Sequence, residues 1–332
     1  MDPFSESNEL FTVKQLFYCA KYDELLKLKI LQDEILFNEA INKYKALQYQ
    51  IRSSINLKDL KKTESLIKES IKSLNTEKEA LIQDDKISKI LELEFKFLES
   101  YSKFILKNDS KSIELLISNY DENKENDLID LIISKYYSLS GDDVKAIEIL
   151  SNTNSLENAS FLIYINIKNL NFKESTKIIN NFSKISQDNL IFNLSQSWFD
   201  IINIEKSKNG KIIENLNKLQ SSYYFYDELT SNESTVSIKN LICLLVCNLK
   251  LLQLPESENL IKRIEEEIDI EELNKNKDYL INKINFNCQS QNTIENKNLI
   301  ENLKIIDPNS NYLSDLNEKN KLFDEIVIKY QS

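Results

Sequence analysis

The chain has 332 residues, of which 41% are apolar, and a formal net charge of −11. This acidity argues against a nucleic-acid or anionic-membrane surface, because both need clustered cations, and the two arginines, Arg52 and Arg263, leave little for bidentate phosphate binding. Only 2 glycines and 3 prolines occur, far below average usage, which argues against strand-rich folds with many turns.

The opening stretch predicts a helix, a turn and a second helix. Leu10, Val13, Leu16 and Phe17 have the spacing of one helix face. The polar tripeptide at 21–23 breaks that pattern, and an apolar pair resumes it. Similar breaks recur near Asn56, at Asn108-Asp109, Gly141-Asp142, Asn171-Phe172 and Asn209-Gly210, at Pro255 and near Thr293.

The spacing of these breaks indicates a repeat. From Asp109 onward they are separated by roughly 30 to 46 residues, around the ~34-residue period of tetratricopeptide hairpins. Pro255 suits the first turn of a helix, where its missing N–H costs no hydrogen bond. We predict an all-α, tetratricopeptide-like α-solenoid of about eight degenerate helical hairpins plus a C-terminal helix. One domain would cover 1–332, with a disordered leader over 1–8; an irregular all-α domain is the alternative.

The residues that usually carry catalysis are missing. Histidine is absent, which excludes Ser-His-Asp and Cys-His hydrolases and histidine-ligated metals. Two glycines cannot form a dinucleotide-binding or Walker A loop. Cys243 and Cys247 lie four apart in the apolar run LICLLVC, which is typical of packed core thiols. We therefore predict no catalytic, cofactor-binding or metal site, and no cofactor.

Targeting and membrane signals are equally sparse. No apolar segment follows Met1 as in a secretory signal, and the longest apolar run is far short of the ~20 residues that span a bilayer. The four cysteines are dispersed, which favours a reduced cytosolic compartment.

A helical-hairpin array without site chemistry is best suited to holding another polypeptide on its concave side. The first helices of successive hairpins line that side, so the partner surface is expected on them. The candidate contact residues are Tyr137, Tyr164, Lys168, Asn193 and Gln196. Ordinary repeat packing or solvent exposure is the competing interpretation of each.

Three segments carry a resemblance to a known family. The opening segment supplies Glu9, Leu10, Phe11, Val13, Lys14, Phe17, Tyr18 and Tyr22, and the closing segment supplies Phe323, Asp324, Val327 and Tyr330. Between them lie Ser155-Leu156-Glu157, opening a hairpin, and Trp198, late in a helix. At colinear spacing, these segments resemble the epsilon subunit of coatomer, the coat of retrograde Golgi vesicles.

The resemblance implies a tetratricopeptide-like superhelix without enzymatic activity. Its partner would be the C-terminal domain of the alpha subunit of coatomer, which it would clasp and stabilise, with the beta-prime subunit in the same subcomplex. The chain would serve Golgi-to-ER retrograde and intra-Golgi transport, and it would bind no nucleic acid. It would associate with the cytosolic side of Golgi and COPI-vesicle membranes only peripherally, through the assembled coat.

Two other functions remain as alternatives. The first is a cytosolic adaptor that binds the acidic C-terminal tail of another protein, as co-chaperones do. Such adaptors bind the tail with a clamp of lysine, arginine and asparagine side chains. An acidic chain with only two arginines is poorly suited to form that clamp. An all-α enzyme, such as a lipid-processing helical array, would need converging aspartates or histidines.

Overall fold

The structure, a computed structural model, describes residues 8–32, 37–77, 85–120, 126–183, 186, 189–203 and 212–330. Every regular element within these ranges is helical, which confirms the predicted all-α class. The chain separates into two compact units, Met1–Lys206 (unit 1) and Ser207–Ser332 (unit 2). A single domain over 1–332 stays a prediction, and the predicted leader lies outside the described residues except for Asn8.

Unit 1 is a series of helical hairpins. After a short 3-10 turn, Asn8–Leu10, its helices are α1 (Phe11–Tyr18), α2 (Tyr22–Lys27), α3 (Ala40–Asn56), α4 (Leu60–Glu77), α5 (Asp85–Lys107), α6 (Lys111–Ser118), α7 (Asp127–Leu139), α8 (Asp143–Leu150), α9 (Leu156–Lys168), α10 (Phe172–Phe182) and α11 (Leu190–Asn203). Each odd-numbered helix from α1 to α9 packs against the helix that follows it.

The first helices of these hairpins form a ring. Helix α1 contacts α3, and the contacts continue in order from α3 to α5, α7, α9 and α11. Helix α11 in turn contacts α1. Stacked hairpins each rotate slightly relative to the last, and in unit 1 that rotation brings the sixth first helix back to the beginning.

Large apolar side chains fill the space between these helices. Tyr44, Phe95, Phe97 and Ile133 belong to a buried cluster that runs from α1 to α7. A separate cluster around Ile163, Phe192 and Phe199 joins α9, α10 and α11. Burying one such side chain stabilises the fold by about 1.5–3 kcal/mol, so the stack is held together mainly by its apolar interiors.

Unit 2 contains the helices α12 (Ile212–Ser231), α13 (Ile238–Lys250), α14 (Leu254–Glu267), α15 (Ile270–Lys275), α16 (Lys277–Gln289), α17 (Asn296–Ile306) and α18 (Asn311–Tyr330). Helix α13 is central and packs on α12, α14 and α16. Cys247 on α13 is fully buried, as predicted for a core thiol, and burial raises its pKa to about 12. Pro255 lies in the first turn of α14, also as predicted.

The hairpin turns share one backbone geometry. In each, a single residue after the first helix has φ between 56° and 91°: Ala20, Lys58, Asn108, Gly141, Leu170, Leu252 and Gln291. The next backbone N–H then donates to a carbonyl in the last turn of the helix, as from Asp142 to Tyr137 at 2.9 Å and from Asn171 to Asn166 at 2.7 Å. This is the Schellman cap. The sequence placed these breaks correctly; the predicted break at Asn209-Gly210 lies outside the described residues.

Most of these left-handed positions carry a side chain that strains them. Leu252 has φ 58° and is 71% exposed, so it combines a backbone penalty with little packing. Replacing Leu252 by glycine is expected to raise the free energy of unfolding by up to about 1 kcal/mol, because glycine adopts this conformation without a Cβ clash. Urea denaturation measures the change. Leu252→Ala removes the same side chain but keeps the clash, and should not stabilise; equal effects of the two substitutions would contradict the explanation.

Candidate functional site

Arg52 joins two opposite sides of the ring in unit 1. Arg52 lies on α3 and pairs with Glu157 in the first turn of α9. Around the ring, α3 and α9 are separated by α5 and α7 on one side and by α1 and α11 on the other. Arg52 Nη1 lies 3.2 Å from Glu157 Oε2, and Nη2 donates to Oε1. Bidentate guanidinium–carboxylate pairing is among the strongest charge-assisted contacts. We call this pair the clasp.

Aromatic rings surround the clasp. The Arg52 guanidinium carbon lies 4.5 Å from the ring centroid of Phe17 on α1 and 5.0 Å from that of Tyr49 on α3. The hydroxyls of Tyr18 and Tyr49 are 3.1 Å apart. A desolvated cation over an aromatic face contributes about 2 kcal/mol. Three first helices, α1, α3 and α9, therefore meet here through one cation, its carboxylate and three aromatic rings.

Both members of the clasp are shielded from water. The Arg52 side chain is 9% exposed and that of Glu157 20%. Burial raises the pKa of the Glu157 carboxyl, but the charge and hydrogen bonds of Arg52 lower it by more, so its pKa lies below the usual range. Burial and the nearby Glu157 charge raise the pKa of Tyr18 well above its usual range. At neutral pH the clasp is thus an ion pair beside a neutral tyrosine.

A stripe of larger side chains continues from the clasp along α9. Glu157, Phe161, Tyr164 and Lys168 follow one another at helical spacing and share one helix face. We call this set the α9 stripe. The rings of Phe161 and Tyr164 stack with centroids 5.9 Å apart and planes 17° apart.

Groups from the preceding hairpin flank the α9 stripe. Lys135 Nζ on α7 lies 5.7 Å from the Phe161 ring centroid, and Lys168 Nζ lies 3.0 Å from the carboxylate of Asp143 at the start of α8. Tyr164 remains 46% exposed. The α9 stripe therefore changes from a buried ion pair at one end to an exposed aromatic and charged surface at the other.

The structure distributes the sequence-predicted contact residues over three helices. Tyr164 and Lys168 come together on the α9 stripe, and Asn193 and Gln196 are half-buried on α11, the next first helix of the ring. Tyr137 is half-buried against the core of unit 1, with Lys145 Nζ of its own hairpin 5.2 Å from its ring centroid. Tyr137 thus packs within its hairpin.

Sequence reasoning missed Phe161, Arg52 and Glu157 as parts of this site. Phe161 precedes Tyr164 by three positions, which is the spacing of one helix face, so the sequence did carry a signal for it. Arg52 and Glu157 are 105 residues apart, and no local pattern connects them.

A half-buried carboxylate links the first helices on the other side of the ring. Glu94 on α5 accepts from Gln48 Nε2 on α3 at 2.6 Å and from Asn126 Nδ2, the N-cap of α7, at 2.8 Å. Burial raises the pKa of Glu94. These two amides give the carboxylate the hydrogen-bond partners that a polar group shielded from water needs, so the contact is structural.

Within the described ranges, no three or more His, Cys, Asp or Glu side chains converge as metal ligands would. Among the same residues, no helix combines the length and the apolarity that crossing a bilayer requires.

Comparison with known proteins accounts for nearly the whole chain. A family model described as the coatomer epsilon subunit matches residues 6–331. A search of curated proteins gave no match. The family match confirms the resemblance predicted from the opening, central and closing segments. The chain therefore belongs to the coatomer epsilon subunit family and is a structural, non-enzymatic subunit of the COPI vesicle coat, a cytosolic coat of the Golgi and its vesicles.

Proposed function

We propose that the chain binds and stabilises the C-terminal domain of the alpha subunit of coatomer, in the subcomplex that also contains the beta-prime subunit. In this role it serves Golgi-to-ER retrograde and intra-Golgi transport, and it associates peripherally with the cytosolic side of Golgi and COPI-vesicle membranes through the assembled coat. The observation that carries the proposal is the α9 stripe, in which half-buried Phe161 and exposed Tyr164 stack on one of the first helices of the ring.

The chemistry of the α9 stripe suits a protein partner. Aromatic side chains are enriched at the energetic centres of interfaces because they bury much area at low entropic cost. The rings of Phe161 and Tyr164 already stack on one another in the free chain, and such preorganisation lowers the side-chain entropy that binding costs. Lys168 at the end of the stripe provides a polar rim.

The other predicted residues extend the proposed contact. Asn193 and Gln196 lie on α11, the neighbouring first helix, where both side chains are half-buried. Tyr137 on α7 contributes indirectly, because its ring supports the exposed Lys145, whose Nζ lies 5.2 Å from the ring centroid. An apolar, aromatic-centred contact of this kind is typical of permanent subunit interfaces.

The test is a substitution in the aromatic stack. The double variant Phe161→Ala, Tyr164→Ala is expected to bind the C-terminal domain of the alpha subunit at least about 30-fold more weakly, the loss of one interface hot spot. Isothermal titration calorimetry measures the affinity. Tyr224→Ala is the matched control, because Tyr224 on α12 is also an exposed tyrosine, at 67%, and should bind normally.

Two outcomes would count against this placement. Full affinity of a correctly folded double variant would move the contact away from the α9 stripe. Affinity that collapses between low and moderate salt would indicate an electrostatic tail-binding adaptor, since apolar subunit contacts depend weakly on ionic strength.

A further inference from the structure

The apolar interior of unit 1 is divided into two parts. The cluster around Tyr44 and Phe95 runs from α1 to α7, with Ile149 of α8 packed against it, whereas the cluster around Ile163 and Phe192 joins α9, α10 and α11. Neither cluster includes residues of both α11 and α1, although these helices meet where the ring closes. Because a shared apolar cluster makes a group of helices behave as one cooperative unit, unit 1 divides into α1–α8, which we call the body, and α9–α11, which we call the arm.

The loop between the body and the arm is suited to act as a hinge. It spans residues 151–155, all of them serine, threonine or asparagine, and none of them lies in a helix. Hinges are usually a few loop residues that absorb changes in φ and ψ. Beside this loop α9 packs on α7 and α8, where Asn158 Nδ2 donates to the Asp127 carbonyl at 3.0 Å and Lys168 pairs with Asp143. A turn of the arm about the loop therefore keeps that side together and separates the two parts where α11 meets α1.

The clasp crosses from the body to the arm. Arg52 is held on the body by two aromatic rings, and Glu157 lies on the arm just after the hinge loop. Lys14 of α1 and Lys135 of α7 also help to lower the pKa of the Glu157 carboxyl, so the body directs three cations at one carboxylate of the arm. Because Glu157 lies close to the loop, a small turn that separates the pair becomes a larger displacement at the opposite end of α9, where α10 begins.

We infer that the arm turns on the 151–155 loop and that the clasp is the latch that holds the ring closed. The latch is a property of the chain alone, and so goes beyond the proposed function. Every candidate contact residue on α9 and α11 belongs to the arm, so opening moves Tyr164, Lys168, Asn193 and Gln196 away from the body together. A partner that binds the arm and the body at once therefore selects one position of the arm.

Spin labels on the full chain measure the position of the arm. One label is attached through Lys61→Cys on α4 of the body and the other through Lys173→Cys at the start of α10, both at exposed positions. Cys243 and Cys288, the native cysteines that are not buried, are changed to alanine. Pulsed electron paramagnetic resonance is expected to give one distance when the clasp is intact. Arg52→Met should add a population with a distance longer by about 10 Å, the diameter of one helix, because opening lets the unpaired carboxylate reach water.

Two variants control for a general loss of stability. Lys43→Met removes the ion pair of Lys43 with Glu77, whose side chains are 13% and 22% exposed. This pair resembles the clasp in burial but joins α3 to α4 within the body, so the label distance should remain single. Arg52→Met combined with Glu157→Leu removes both charges and should restore the single distance, since no carboxylate is left to be buried.

The latch is wrong if a folded Arg52→Met variant gives the same single distance as the wild type, or if Lys43→Met produces the longer distance equally. If circular dichroism shows that Arg52→Met does not fold, Arg52→Lys takes its place, since lysine keeps the charge but cannot pair in the bidentate geometry. A longer distance in that variant supports the latch, and a single distance overturns it. No partner is present in the experiment, so either result leaves the proposed function as it stands.

Discussion

Replacing Arg52 by methionine is expected to lower the free energy of unfolding of unit 1 by about 3–5 kcal/mol, because it leaves the Glu157 carboxylate buried without its partner. The guanidinium also contacts the rings of Phe17 and Tyr49, and methionine replaces its bulk but not its charge. Urea denaturation followed by tryptophan fluorescence measures the loss. The single tryptophan of the chain, Trp198, lies on α11 and so reports on unit 1.

Two comparisons test this explanation. Lys177→Met breaks the exposed pair of Lys177 with Glu174 and should cost less than about 1 kcal/mol. Arg52→Met combined with Glu157→Leu should recover most of the loss, since apolar side chains can replace a buried ion pair at little cost. A loss at Arg52 no larger than that at Lys177 would mean that the clasp does not hold the ring.

The clasp should also respond to acid in a defined direction. The pKa of Glu157 in the folded chain lies below its usual range, so the clasp contributes fully above the unfolded pKa of about 4.3. That contribution disappears as the pH falls through the lower, folded value. The difference between the wild type and Arg52→Met should therefore shrink in acid.

Replacing Phe95 by alanine is expected to lower the free energy of unfolding by about 3–5 kcal/mol, through lost apolar burial and the cavity left behind. Phe95 on α5 is fully buried, with its ring edge-on to Tyr44 of α3 at 6.4 Å between centroids. Tyr44 cannot easily move into the space, because its hydroxyl donates to Glu77 at 2.7 Å and Glu77 also pairs with Lys43. The same tryptophan-monitored urea titration measures this loss.

A substitution on the same helix serves as the control. Ile90 on α5 is 48% exposed, and Ile90→Ala should change the free energy of unfolding by no more than about 0.5 kcal/mol. Comparable losses at the two positions would show that α5 does not pack on α3 through Phe95.

The sequence by itself determined the helical class, most turn positions and the family. These follow from local patterns: the 3.6-residue period of apolar side chains, Gly141-Asp142 at a turn, and Pro255 at a helix start. The left-handed geometry at Ala20, Leu170 and similar residues was not predictable. It opposes local preference, and it persists because the packing of two helices offsets the strain of one turn residue.

The tertiary structure decided where the site lies. Whether a tyrosine on a first helix faces a partner or its own hairpin depends on the rotation of that helix against its neighbours, and this rotation separates exposed Tyr164 from half-buried Tyr137. The sequence showed Arg52 only as one of two arginines. Its pairing with Glu157, 105 residues away, depends on the small rotations that several successive hairpins add together, and no short stretch of sequence encodes that sum.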